Sequence, residues 1–153
     1  MIHAISYNTA WVVAYPFNNL SYGGIFKTTD GGTTWNRQNT ASYSAPGAFP
    51  NVVYFWDENI GFAQGDPVNG EYELYTTVDG GENWTEVDGD NIPNPLDGEY
   101  GYVRQIEVFE DNVWYTNTDT SGFTVTHTAG SSDGQVNVRI TNPEKIRAGT
   151  YDV

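Results

Sequence analysis

One short phrase occurs twice in this 153-residue chain, and it dictates where the backbone must reverse. The first copy reads Ile25-Phe26-Lys27-Thr28-Thr29-Asp30-Gly31-Gly32-Thr33-Thr34-Trp35, and the second reads Leu74-Tyr75-Thr76-Thr77-Val78-Asp79-Gly80-Gly81-Glu82-Asn83-Trp84. Thr28, Asp30, Gly31, Gly32 and Trp35 thus return 49 positions later as Thr77, Asp79, Gly80, Gly81 and Trp84. Each part has a folding role. The carboxylate can accept hydrogen bonds from backbone N–H groups of a tight turn and from the Thr hydroxyl. The glycines reach backbone angles closed to other residues, and the indole lays an apolar face over the turn. We expect two equivalent turns between antiparallel strands, with Asp30 and Asp79 structural rather than catalytic.

The repeat extends beyond the turns. Ala10-Trp11-Val12-Val13-Ala14, Ile60-Gly61-Phe62-Ala63 and Asn112-Val113-Trp114-Tyr115 are short apolar strands, with Trp11, Phe62 and Trp114 spaced 51 and 52 positions apart. An alternating segment precedes each one: Ile2 to Ser6, Val52 to Trp56 and Val103 to Val108. Four short strands and tight turns in ~50 residues describe one blade of a β-propeller. No segment sustains a helical period. The connections Thr40 to Pro50 and Asp88 to Gly101 are rich in Pro, Gly, Asn and Ser and read as loops. The expected fold is therefore all-β: a partial propeller of two to three four-stranded antiparallel blades.

These turns resemble the Asp-box (BNR) repeat family, which includes sialidases, sortilin-type receptors, xyloglucanase-like glycosidases and a photosystem assembly factor. More narrowly, Phe49-Pro50-Asn51-Val52-Val53-Tyr54-Phe55-Trp56-Asp57, Gly65 to Glu73 and Ile92 to Tyr102 resemble exported propellers of Bacteroidetes, many with a type IX secretion signal. The resemblance covers residues 1 to about 117. It implies a secreted or cell-surface bacterial protein, and it speaks to fold far more than to function.

Residues 1–117 read as two complete blades plus the start of a third, and 118–153 break the pattern. One reading finds a worn turn at Ser131-Ser132-Asp133-Gly134, with Gln135 and Val138 where Gly and Trp should stand and Val136 to Ile140 as the closing strand. The other finds an immunoglobulin-like segment ending in the strand Gly149-Thr150-Tyr151-Asp152-Val153. Two or three blades do not close a ring, and an open array leaves strand edges and sheet faces bare. The expectation is a piece of a larger propeller, or copies that associate to complete one. A strand pattern that starts at Ile2 with no leader ahead of it suggests a trimmed chain.

Composition narrows the partners. Six basic against twenty acidic side chains give a formal net charge of −14, which repels phosphate backbones and anionic lipid. Nucleic acid and membrane insertion are thereby disfavoured, and no apolar run approaches a spanning helix. With no cysteine, disulfides, thiol catalysis and thiolate metal sites are excluded. Aromatics at 15% and 17 glycines suit pleated strands and tight turns.

Candidate sites are few. Asp88, Asp90, Asp97 and Glu99 offer oxygen ligands on a turn-rich loop, the type that calcium takes, although a solvated acidic loop explains them as well. Asn117-Thr118-Asp119-Thr120-Ser121-Gly122 begins like a calcium loop without its closing acid. Glycoside hydrolysis needs two facing carboxyl groups. Asp57, Glu58, Asp66, Glu71 and Glu73 lie at strand ends or loops, and nothing selects a pair among them. Arg37, Arg104, Arg139 and Arg147 are too scattered in sequence for a sialidase carboxylate clamp. His3 and His127 stand without a partnering motif. Core packing is expected of Trp11, Trp35, Trp84 and Trp114, which leaves Trp56 as the one candidate ligand platform, with burial its alternative. Gly31-Gly32 and Gly80-Gly81 open no helix, so they cradle no phosphate. The expected function is a non-catalytic exported or cell-surface module, binding a protein or glycan or serving as scaffold, with no cofactor required. The alternatives are a self-assembling subunit of a filament or sheath and a fragment of a glycoside hydrolase.

Overall fold

The computed structural model describes residues 1–15, 23–43, 45–92, 94–96, 98–109, 112–118, 124–130, 135–140 and 148–152, with side chains through Gly101 and at Ile106. Its strands are β1 (Ile2–Ala4), β2 (Ala10–Ala14), β3 (Gly24–Thr28), β4 (Asn36–Gln38), β5 (Pro50–Phe55), β6 (Gly61–Val68), β7 (Glu71–Thr77), β8 (Thr85–Glu86), β9 (Tyr100–Phe109), β10 (Asn112–Thr118), β11 (Thr124–Gly130), β12 (Gln135–Ile140) and β13 (Ala148–Asp152). They form three antiparallel meanders in chain order: a first sheet β1-β2-β3-β4, a second β5-β6-β7-β8 and a five-stranded third, β9 to β13. The one helical element among the described residues is a 3-10 turn at Gly89–Asn91, so no described helix is long and apolar enough to cross a membrane.

The first and second sheets match register for register. Ile2 lies opposite Val12 and Val12 opposite Phe26. Val53 lies opposite Ala63 and Ala63 opposite Tyr75 in the same way. The turns before β2 and β6 correspond too. Ser6 Oγ accepts from the Thr9 backbone N–H at 3.0 Å, and Asp57 Oδ1 accepts from that of Ile60 at 2.8 Å. The Gly31 N–H donates to the Asn8 carbonyl at 3.0 Å and the Gly80 N–H to that of Asn59 at 2.8 Å.

Alternation along β5 explains how the sheets stack, because successive side chains point to opposite faces. Val53 and Phe55 face the first sheet and join Trp11, Val13, Ile25 and Trp84 in one buried cluster. Trp11 and Phe55 stack with centroids 3.6 Å apart. Val52 faces the other way and clusters with Phe62, Leu74, Tyr72, Val87 and Ile92, against which Ile106 of β9 packs. The second sheet is thus covered on both faces, which is why β5 is apolar almost throughout.

Several bounds differ from the sequence expectation. The strand β6 reaches past the expected Ile60–Ala63 to a hairpin with β7 at Asn69-Gly70, whose φ values of 55° and 90° suit a tight two-residue turn. The register shifts between Gln64 and Pro67, where proline has no N–H to give. In the third sheet, β12 pairs with β11 and β13 with β12. Strands on both sides of residue 117 therefore lie in one sheet, and Ser131–Gly134, where the worn turn was expected, lie outside the described residues. The 119–122 part of the Asn117–Gly122 loop and Val153 also lie outside them.

Candidate functional site

The two repeated turns have almost the same internal geometry. Thr28 Oγ1 donates to Asp30 Oδ1 at 2.8 Å and accepts from the Gly32 N–H at 2.9 Å. Thr77 Oγ1 does likewise with Asp79 Oδ1 and the Gly81 N–H, both at 2.9 Å. Gly31 and Gly80 share φ 71°, and Gly32 and Gly81 have 87° and 88°. The residue ahead of each Trp completes the carboxylate's shell. The Thr34 N–H and hydroxyl reach Asp30 at 2.9 and 2.6 Å, and the Asn83 N–H and side-chain amide reach Asp79 at 2.9 and 2.7 Å. Bonds from Thr34, then Thr28, hold the Asp30 carboxyl at about 2. Bonds from Asn83 lead in holding Asp79 at about 2. Neither carboxylate is poised to exchange a proton near neutral pH.

Beyond the turn the two tryptophans part company. Trp84 is 5% exposed and meets Phe55 edge-on at 5.7 Å, whereas Trp35 is 37% exposed. The expectation of core packing fails for Trp35 because the side of the first sheet it lies on has no covering sheet among the described residues. Trp11 is fully buried, and the side chain of Trp114 lies outside the described residues.

Two acids of the loop bond to their own turns. Asp88 accepts from the Asp90 N–H at 3.0 Å, capping the 3-10 turn. Glu99 is buried and accepts from the Leu96 N–H at 2.6 Å. Asp90 is exposed, and Asp97 lies outside the described residues. No group of three His, Asp or Glu side chains converges on a metal-sized space among the described residues. Trp56 is half-buried, its ring set against Tyr54 at 5.4 Å and Phe62 at 5.7 Å, so it edges the second core cluster rather than standing free.

Two of the candidate carboxylates lie near enough for the charge of one to act on the other. Asp66, at the β6 irregularity, accepts from Asn51 Nδ2 at 2.6 Å and from the Gly101 N–H at 2.9 Å. Burial raises its pKa against the pull of those bonds. Glu73 on β7 is half-buried, with one carboxylate oxygen sealed off and without a hydrogen-bond partner. Burial, then the charges of Glu86 and Asp66, push it up to about 7. Two tyrosines close this cluster. Tyr43 is fully buried and meets Tyr75 edge-on at 5.1 Å. Its hydroxyl is raised far above its ordinary range by burial, then by Tyr75, Glu73 and Glu86. Tyr75 is pushed up to about 12 by burial, then by Glu86 and Glu73.

Tyr43 lies in the β4–β5 connection, which Arg37 positions by donating to the carbonyls of Gly23 at 2.7 Å and Ser42 at 3.2 Å. Gly65 makes room for it, since a Cβ there would come within 2.6 Å of the Tyr43 ring. Sequence reasoning missed Tyr43, Glu86 and Asn51 because nothing in their local spacing marks a site. They meet only through the stacking of the first sheet, its loop and the second.

The cluster has a consequence for stability. Below about pH 4.5 Glu73 is protonated folded or unfolded, so it costs nothing. As pH rises toward about 7 the unfolded carboxyl ionises first, and the fold then bears the cost of a buried charge. Stability attributable to Glu73 should therefore fall between those values and stay low above them. Solvent reaching the half-exposed group reduces the effect to about 1 kcal/mol. Chemical denaturation of Glu73→Gln at several pH values should show the variant more stable than the parent at pH 8 and level with it at pH 4. An equal difference at both would refute the assignment.

The chain matches no protein-family model, and no curated protein matches it.

Proposed function

We propose that this chain is part of an exported or cell-surface bacterial β-propeller that binds or scaffolds and does not catalyse. The observation that carries the reading is the equivalence of the two turns, each embedded in a four-stranded sheet of the same order and register. A turn whose carboxylate is held by its own Thr, glycine loop and following polar residue contributes to folding, not to chemistry. The charge of −14 supports a role in an aqueous, non-nucleic-acid setting and favours solubility. A protein or glycan at the cell surface is the partner class this reading implies.

Glu73 favours a second reading, a fragment of a glycoside hydrolase. A carboxyl held near 7 suits a general acid, and glycosidases use such a group beside a second carboxylate. One experiment separates the two readings. Under the scaffold reading, a glycan array gives binding or silence, and aryl-glycosides show no turnover above buffer. Turnover that disappears in Glu73→Gln would end the non-catalytic reading.

A further inference from the structure

We propose that the open face of the first sheet docks the third sheet of a second copy of this chain, joining copies head to tail. The face is defined by the register. On the second sheet, Val53, Phe55, Ala63, Tyr75 and Trp84 pack against the first sheet and are at most 6% exposed. Their counterparts on the first sheet are Ile2, Ala4, Val12, Phe26 and Trp35. Ile2 is 54% exposed and Trp35 37%. Ala4 is also exposed, and Val12 and Phe26 are partly so. A set of side chains that is the buried half of one junction stands uncovered one repeat earlier. None of the five is charged, in a chain with 20 acidic residues.

Polar groups repeat the pattern. At the covered junction the Gly80 carbonyl accepts from Trp11 Nε1 at 3.1 Å and from Lys27 Nζ at 2.9 Å, both on the first sheet. The matching Gly31 is exposed, and no described residue donates to its carbonyl. What fits this face is therefore another sheet of the same kind, bringing an aromatic at the position Trp11 holds on β2. The chain carries one such position without a following sheet among the described residues. Trp114 lies on β10 opposite β9 and β11, as Trp11 lies on β2 opposite β1 and β3. A contact between unlike faces is heterologous, and its rotation decides whether copies close into a ring or extend as a filament. The junction inside the chain, between first and second sheets, is the template for the junction between chains.

This inference rests on the sheet equivalence and not on the propeller, export or ligand readings, so it stands or falls apart from them. Sedimentation of the full chain across the micromolar range should show association that strengthens with added salt, because screening relieves repulsion between strongly acidic copies. Ile2→Asp should weaken association about tenfold or more, while Val78→Asp, at a residue 79% exposed on the second turn, should leave it unchanged. Head-to-tail geometry makes a sharper demand. Ile2→Asp and Trp114→Asp chains, each weakened in self-association, should pair one-to-one when mixed, more tightly than either pairs with itself. Should Trp114→Asp fail to fold, as circular dichroism would reveal, the Ile2→Asp and salt arms still decide. A parent chain monomeric throughout, or a Trp114→Asp chain that folds and associates like the parent, would overturn the proposal.

Discussion

Trp84→Ala is expected to destabilise the fold by about 3–5 kcal/mol, and Trp35→Ala by only about 1–2 kcal/mol. The two residues occupy the same place in the same turn. Each indole lies over the second glycine of its turn, 3.0 Å from the Cβ position of Gly81 for Trp84 and 3.8 Å from that of Gly32 for Trp35. What differs is the far side of the ring. Trp84 closes a dry cluster with Phe55 and Trp11, and its backbone N–H donates to Thr40 Oγ1 at 2.7 Å. Removing it leaves a cavity between two sheets, which relaxes only in part. Trp35 already meets solvent, so its loss removes area without opening a void. Urea denaturation of both variants at low protein concentration, where copies stay apart, gives the comparison directly. Equal costs would show that local turn packing, not the sheet junction, governs both, and would remove the basis for treating the first sheet's outer side as an uncovered junction.

Much of the fold was legible because the repeat is written into the chain at fixed spacing. Turn chemistry at Asp30 and Asp79 and the aromatic period through Trp11 and Phe62 mark where the strands lie, and the four-strand order of the first two sheets follows. The ends of strands were less legible. Asn69-Gly70 is a strong two-residue hairpin signal, yet Gly65 and Pro67 interrupt the alternation beside it, so β6 looked shorter than it is. Exposure of Trp35 was hidden for a different reason. A motif reports what a residue does inside its own turn, while burial depends on a neighbouring sheet that the motif does not encode. The buried cluster around Glu73 was the least legible part. Its members come from β7, β8, β6 and the β4–β5 connection, and their shared environment arises from packing. Asp88 and Glu99 show the converse. Acids that resemble ligands in sequence each accept from a backbone N–H of their own short turn.

Alanine at Gly80 and at Gly31 tests the junction through the backbone. Both glycines have φ 71°, a left-handed conformation that costs an L-residue about 1–2 kcal/mol. That penalty is common to the two sites. At Gly31 the new methyl would sit 3.6 Å from the Tyr7 carbonyl oxygen, an ordinary contact, so Gly31→Ala should cost the strain alone. At Gly80 it would sit 2.5 Å from the Glu58 carbonyl oxygen and 3.0 Å from Lys27 Nζ. Backbone cannot swing aside as a side-chain tip can, so the β5–β6 turn or the whole second turn must shift. A shift also loosens the Gly80 carbonyl from Trp11 and Lys27, the two donors that tie the second sheet to the first. Overpacking of this kind adds about 1–3 kcal/mol. Gly80→Ala should therefore unfold at a distinctly lower urea midpoint than Gly31→Ala, with the denaturant slope unchanged if only the native state is affected. Near-equal midpoints would mean that the second turn is not clamped between its own sheet and the first, and that the carbonyl of Gly80 is no anchor.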